Sequence, residues 1–204
     1  MRVSVSRTVW VLALGSPLAL GAFSADAAAR PQDSAAAATP VARPSDGLRL
    51  RVSLSQRRLF VEDGGQVVRE FGVAIGSPAH PTPKGNFKIR RLVWNPGWVP
   101  PKAKWAKGKQ PEQPGSARNP MQAVKIYFQE PDYYIHGTND PNSIGTAASH
   151  GCLRMTPEDA AELGAYVMEH GGQPREESWF RRVFRFGRSV VINLDNPVPL
   201  TITA

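Results

Sequence analysis

The sequence predicts a mainly β domain with one or two α-helices late in the chain. Two observations lead there. Apolar residues after residue 47 fall into short runs, some alternating with polar ones at period two and separated by Gly, Pro, Asn and Asp clusters. Clear helix start and stop signals bracket one stretch, near residues 156–172.

In order, Leu48, Leu50, Val52 and Leu54 alternate with Arg49, Arg51 and Ser53, the pattern of a half-buried strand. Leu59 to Val61 is a second strand, "EDGG" (62–65) a turn, and "QVVREFGVAI" a third strand, so the domain opens as a β-meander. Pro81 and Pro83 rule out regular central sheet there, Gly85 marks a turn, and "NFKIRRLV" resumes as a strand. Residues 95–120 hold six prolines and no clear periodicity, which predicts a long loop. "QAVKIYF" and "YYIHG" are strands again. Thr156 is placed as N-cap, Pro157 as first helical residue and Gly171–Gly172 as the stop of "PEDAAELGAYVMEH". "REESWFRRVFRFG" is a candidate second short helix, "SVVINL" a last strand, and "NPVPLTI" ends the chain.

Ahead of this domain (47–204), residues 1–27 have Arg2 and Arg7, an apolar run from about Val9 to Phe23, and Ala25 and Ala27 at the spacing of an A-x-A cleavage site. That is the layout of a secretory signal peptide. The run is short for a membrane span, which takes roughly 20 apolar residues; an uncleaved signal anchor is the alternative. No second long apolar run follows, so no span is expected in the mature chain. Residues 28–46 are rich in Ala, Pro and Ser and read as a disordered tether, with Pro40 and Pro44 opposing a helix. The chain is basic, with 25 Lys+Arg against 17 Asp+Glu. An exported basic protein suits an acidic polymer such as a cell wall, or a membrane surface. No zinc finger, recognition helix or aromatic RNA-binding signature supports a nucleic-acid partner.

The chemistry centres on "SHGCLRM" (149–155), which holds the only cysteine. Without a disulfide partner, Cys152 is either inert packing or a reactive thiol. His136 ends an apolar strand and Cys152 lies just ahead of a helix N-terminus, so the two can meet in space. A thiol of ordinary pKa ~8.5 needs a base, and histidine supplies one. Gly151 leaves the backbone bare beside the thiol, so amides at 150–152 can face an oxyanion. A zinc site of Cys152, His150 and His136 is the other reading, but H-x-C on a tight turn is not a common zinc chelate. His80 and His170 read as surface residues without a role.

"IHGTNDPNSIGTAASHGCLRM" resembles the signature of the L,D-transpeptidases, the YkuD-type catalytic domain: His-Gly-Thr, a gap, then Ser-His-Gly-Cys-x-Arg. "HPTPKGNFKI", "NPGWVPP" and "GSARNPMQAVKIYF" resemble further family segments in the same order, with Met121 and Gln122 where Leu-Gly is usual. The resemblance covers most of residues 47–160 and implies a β-sandwich or barrel-like domain with a helix after the cysteine. It implies Cys152 as nucleophile, His136 as base and then acid, and the Gly137 carbonyl as the group that orients the imidazole; His150 is the competing base. The amides of His150, Gly151 and Cys152 would form the oxyanion hole, while Ser149, His150 and Arg154 brace the site or bind substrate. No metal or other cofactor is implied. The implied partners are peptidoglycan stem peptides, and the implied reaction is acyl transfer from a tetrapeptide stem to an amine in the periplasm or cell wall. Water or a lipoprotein lysine is an alternative acceptor, and a non-catalytic wall-binding protein is the rival reading. Residues 95–120, with Trp98 and Trp105, are the candidate lid; the alternative is a solvated basic loop with two core tryptophans. Residues 173–204 depart from the shorter family members.

Overall fold

The computed structural model describes residues 47–204; the expected signal segment (1–27) and tether (28–46) lie outside them. Strands β1 (Arg49–Ser53), β2 (Arg58–Asp63) and β3 (Gln66–Gly72) form the expected antiparallel meander. Leu50 and Val52 point into the core while Arg49 faces out. Gly64 and Gly65 turn the chain with φ of +57° and +79°, the double left-handed conformation of a tight hairpin that side chains resist.

The third strand is shorter than its apolar run. β2 begins at Arg58, opposite Gly72, so beyond that point β3 has no ladder partner. The chain leaves the sheet edge through a Val73 N–H bond to the Arg57 carbonyl, and Ile75–Gly76 (β4) pairs elsewhere, in parallel with Ala147–Ser149 (β8). Strands β5 (Gly85–Trp94), β6 (Gln122–Gln129) and β7 (Tyr133–Gly137) match the later apolar runs. Cys152 does not directly precede a helix. Leu153–Met155 forms β9, parallel to β7, and helix α1 (Pro157–His170) follows it. Thr156 caps α1 by accepting the Asp159 N–H at 3.1 Å, worth about 1 kcal/mol. Helix α2 (Glu177–Arg185) forms as expected.

The end of the chain is one strand rather than a strand and a tail. β10 (Val190–Thr203) runs through Pro197 and Pro199. Its register shifts between Asn193 and Val198, and β1 joins it only from Leu200, so both prolines lie outside the stretch that β1 pairs. The eight-stranded order is β3-β2-β1-β10-β5-β6-β7-β9. Past the end of β3, Ala74 exchanges two backbone bonds with Arg154 of β9, at 2.9 and 3.0 Å, so the sheet is nearly closed on itself.

The helices seal this sheet at Trp94, which is fully buried. α1 buries Ala160, Leu163, Gly164, Val167 and Met168, one stripe at helical spacing. The Trp94 indole N–H reaches the Met168 sulfur at 2.8 Å, and α2 seats Trp179 and Phe180 edge-on to the same ring, with centroids 6.1 and 4.8 Å away. A β-carbon on Gly164 would sit 2.9 Å from the Trp94 ring and 3.3 Å from Val124. Gly164→Val therefore overpacks this contact, and urea unfolding is expected to show a loss of about 1–3 kcal/mol.

Candidate active site

Strand alternation builds the site. In β6, Val124, Ile126 and Phe128 enter the core, so Lys125 and Tyr127 take the opposite face. Register places Lys125 against His136 and Tyr127 against Tyr134 of β7, and His136 in turn against Arg154 of β9. Cys152, two residues before Arg154, falls on the same face beside Tyr134. All six side chains line one cavity of about 620 Å³.

His136 is buried, and its Nδ1 lies 2.8 Å from the Gly137 carbonyl oxygen. A carbonyl only accepts, so Nδ1 carries the proton and Nε2 keeps its lone pair. Gly137 permits this packing, because a β-carbon there would stand 2.6 Å from the Gln122 carbonyl oxygen and 3.0 Å from Pro157 Cα. Burial lowers His136 to about 3; the Gly137 carbonyl opposes the shift, and Arg154 and Lys125 add to it.

Cys152 keeps part of its surface open to the cavity. Burial still pushes its thiol up to about 11, against the pull of hydrogen bonds from Tyr134 and the charges of Lys125 and Arg154. Sγ donates to the Asp132 carbonyl at 3.2 Å rather than to His136. The resting site therefore holds a neutral thiol and a neutral imidazole. Burial holds Lys125 below, and Tyr134 above, their ordinary values.

Ser149 fixes the turn that carries the thiol. Its Oγ accepts the Gly151 N–H at 3.1 Å and donates to the Cys152 carbonyl, so the Gly151 amide is already engaged. Gly151 has φ +107°, and a β-carbon there would meet the Tyr133 ring at 2.7 Å. Arg154 faces Asp140 at 3.8 Å. His150 is exposed and stacks on Trp105, centroids 4.0 Å apart, with His80 at 4.8 Å. Partial burial lowers His150, and His80, Arg154 and Lys109 contribute. Among the described residues no group of three His, Cys, Asp or Glu is placed to hold a metal.

The 95–120 segment has more structure than its composition predicts. Trp98 and Glu112 exchange backbone bonds of 2.9 Å, Lys104–Ala106 makes a 3-10 turn, and buried Asn119 donates to the Pro96 carbonyl at 2.7 Å. Trp98 is buried and Trp105 half-buried, and both line the cavity. His80 is exposed, as expected, but it too lines the cavity. His170 is half-buried rather than a plain surface residue, 3.4 Å from Asp63 and bonded to the Tyr166 carbonyl.

Lys125, Tyr127 and Tyr134 escaped sequence reasoning. Polar positions on a strand read as solvated face, and only the pairing of distant strands turns that face into a site wall. The usable signal was that Tyr134 and His136 sit two apart on one strand.

The L,D-transpeptidase catalytic domain model matches residues 48–192. The chain belongs to this family. It is similar to the L,D-transpeptidase homologues YkuD of Bacillus licheniformis (33% identity over 119 residues, 58% of this chain and 59% of that one) and of Bacillus subtilis (30% over 118 residues, 58% and 59%). The chain thus spans about three-fifths of the length of these curated relatives. Among solved structures it is similar to an L,D-transpeptidase from Mycobacterium smegmatis (TM-score 0.49, 15% identity, 78% of this chain and 59% of that one). The Ldtfm–avibactam carbamoyl enzyme (TM-score 0.50, 17% identity, 78% and 49%) shares the fold.

Two outcomes follow for thiol reactivity. Because the folded thiol titrates at about 11, alkylation of Cys152 by iodoacetamide is expected to rise about tenfold per pH unit from 7 to 9. A plateau beginning near pH 6 would instead mean a preformed thiolate–imidazolium pair. Tyr134→Phe removes a hydrogen bond that favours the thiolate, so alkylation at fixed pH is expected to slow about three- to tenfold.

Proposed function

We propose that the protein is an exported cysteine acyltransferase that cuts the diaminopimelate–D-Ala bond of a peptidoglycan tetrapeptide stem and passes the acyl group to an amine, forming a 3→3 cross-link. The observation that carries this reading is the gathering of a thiol, an imidazole oriented by the Gly137 carbonyl and two cations on one face of three neighbouring strands. The pairing suits nucleophilic acyl transfer, and the cations suit a donor that carries carboxylates.

Cys152 Sγ attacks the stem carbonyl while His136 Nε2 takes the thiol proton. The C–N bond to D-Ala then breaks, and His136 returns that proton to the leaving amine, leaving a thioester. An acceptor amine attacks the thioester, gives its proton to His136, and the sulfur departs to recover it. Between a thiol at about 11 and an imidazole at about 3, transfer is steeply uphill. A donor carboxylate lying between Lys125 and Arg154 would offset the two cations that disfavour imidazolium, but the same cations favour the thiolate and burial is the larger cause for both groups, so the proton moves to His136 as the C–S bond forms rather than beforehand. With the Gly151 amide bonded to Ser149, the His150 and Cys152 amides are the oxyanion donors we assign. Trp105 on His150 roofs the cavity and, as a lid, favours the amine over water.

The test is a digest of purified disaccharide-tetrapeptide, with and without a second stem, following D-Ala and product masses. Dimer that depends on Cys152 is expected, with Cys152→Ala inactive and His136→Gln down about 10²–10⁴-fold. Tripeptide alone would make the enzyme a carboxypeptidase. Transfer only to a lipoprotein lysine would make it an anchoring enzyme. A carbapenem, which resembles the donor's end, is expected to add its mass to Cys152; no adduct and no D-Ala would leave a wall-binding protein.

A further inference from the structure

We propose that α2 and the segment after it, residues 177–188, form a surface that docks on an anionic lipid bilayer. Two of the five large apolar residues exposed among the described residues lie here: Phe184 (42%) and Phe186 (64%). Four exposed arginines, Arg181, Arg182, Arg185 and Arg188, are interleaved with them, and no Asp or Glu occurs from Ser178 to Asn193. Only Arg181 has a carboxylate partner, Glu177 at 3.0 Å; among the described residues Arg182, Arg185 and Arg188 have none. The helix is anchored by its inner face: Trp179, Phe180 and Val183 turn inward, the two aromatics onto Trp94, and Phe184 sets one edge against the same ring at 6.2 Å, while Ser189 ties the following segment to Asn95 and Gly97. The result is a ridge with the Phe186 ring, the open side of the Phe184 ring and unneutralised guanidinium groups facing outward.

The mixture of side chains selects the partner. Cations alone would fit any polyanion, including an acidic wall polymer, but such a polymer gives Phe184 and Phe186 nothing apolar to enter. A bilayer offers an anionic layer with an apolar layer beneath it, the arrangement that basic amphipathic helices occupy. The ridge is distinct from the cavity that holds Cys152, so docking and acyl transfer are separable.

The test uses the full chain with Cys152→Ala and Phe186→Cys, which leaves a single thiol for a nitrobenzoxadiazole label at 186. Vesicles of phosphatidylglycerol and phosphatidylcholine are compared with phosphatidylcholine alone. A label that reports position 186 is needed because the apolar run near the N-terminus can bind vesicles by itself. On anionic vesicles the label is expected to shift to the blue and resist aqueous quenchers; on neutral vesicles it is not. Arg185→Gln with Arg188→Gln is expected to lower partitioning on the order of 25-fold, about fivefold per cation, with the thermal melt unchanged. A label that stays in water on anionic vesicles overturns the proposal, whether or not the chain sediments with them. An equal response on neutral vesicles, or no effect of the arginine changes, overturns the ionic half of it.

Discussion

The parallel pairing of β7 with β9 is the constraint on which the site depends. It sets Ile135 against Leu153 in the core and His136 against Arg154 on the other face. Because strands alternate strictly, a slip of one residue would send Cys152 and Arg154 into the core and Leu153 out. The register is held from both sides of the sheet. Leu153 and Met155 are fully buried beneath, and Ala74 clamps the Arg154 backbone from the far edge. Ser149 then sets the thiol's own position through the Cys152 carbonyl. Sheet closure and placement of the nucleophile are thus one event, since Arg154 takes part in both.

The electrostatics of the face follow from where the strands put it. Lys125, Tyr134, His136 and Cys152 are all taken largely out of water, and burial disfavours the charged form of each. Neutral groups cost less to bury than ions, so the site rests as thiol and imidazole. The charges that remain are the Lys125 ammonium and Arg154, the latter 3.8 Å from Asp140. Tyr134 lies against both the nucleophile and Lys125, whose ammonium is 5.0 Å from its ring, which ties β6 to β9 across β7.

Much of the fold was legible because its signals were local. The β1–β3 alternation, the Gly64–Gly65 turn and the Thr156 cap each act within a few residues. The motif residues Cys152 and His136 stood out by chemical type. The illegible parts are those decided by pairing at a distance. β8 and β9 are three residues each, too short for any periodicity to show. Pro197 and Pro199 speak against a strand, but a bulge and a late-joining β1 excuse them. Residues 95–120 lack a period because backbone bridges and Asn119, rather than burial of a repeating face, give them their shape.

β10 lies between β1 and β5, yet it is made of residues 190–203. A polypeptide emerging from the ribosome therefore makes every other strand before the one that joins the two halves of the sheet. Until then β1 and β5 each present an open edge, and the meander meets the Cys152 region only through the Ala74–Arg154 bridge and the β4–β8 pair. Completion of this sheet therefore waits until residues 190–203 have been made, after every strand they join.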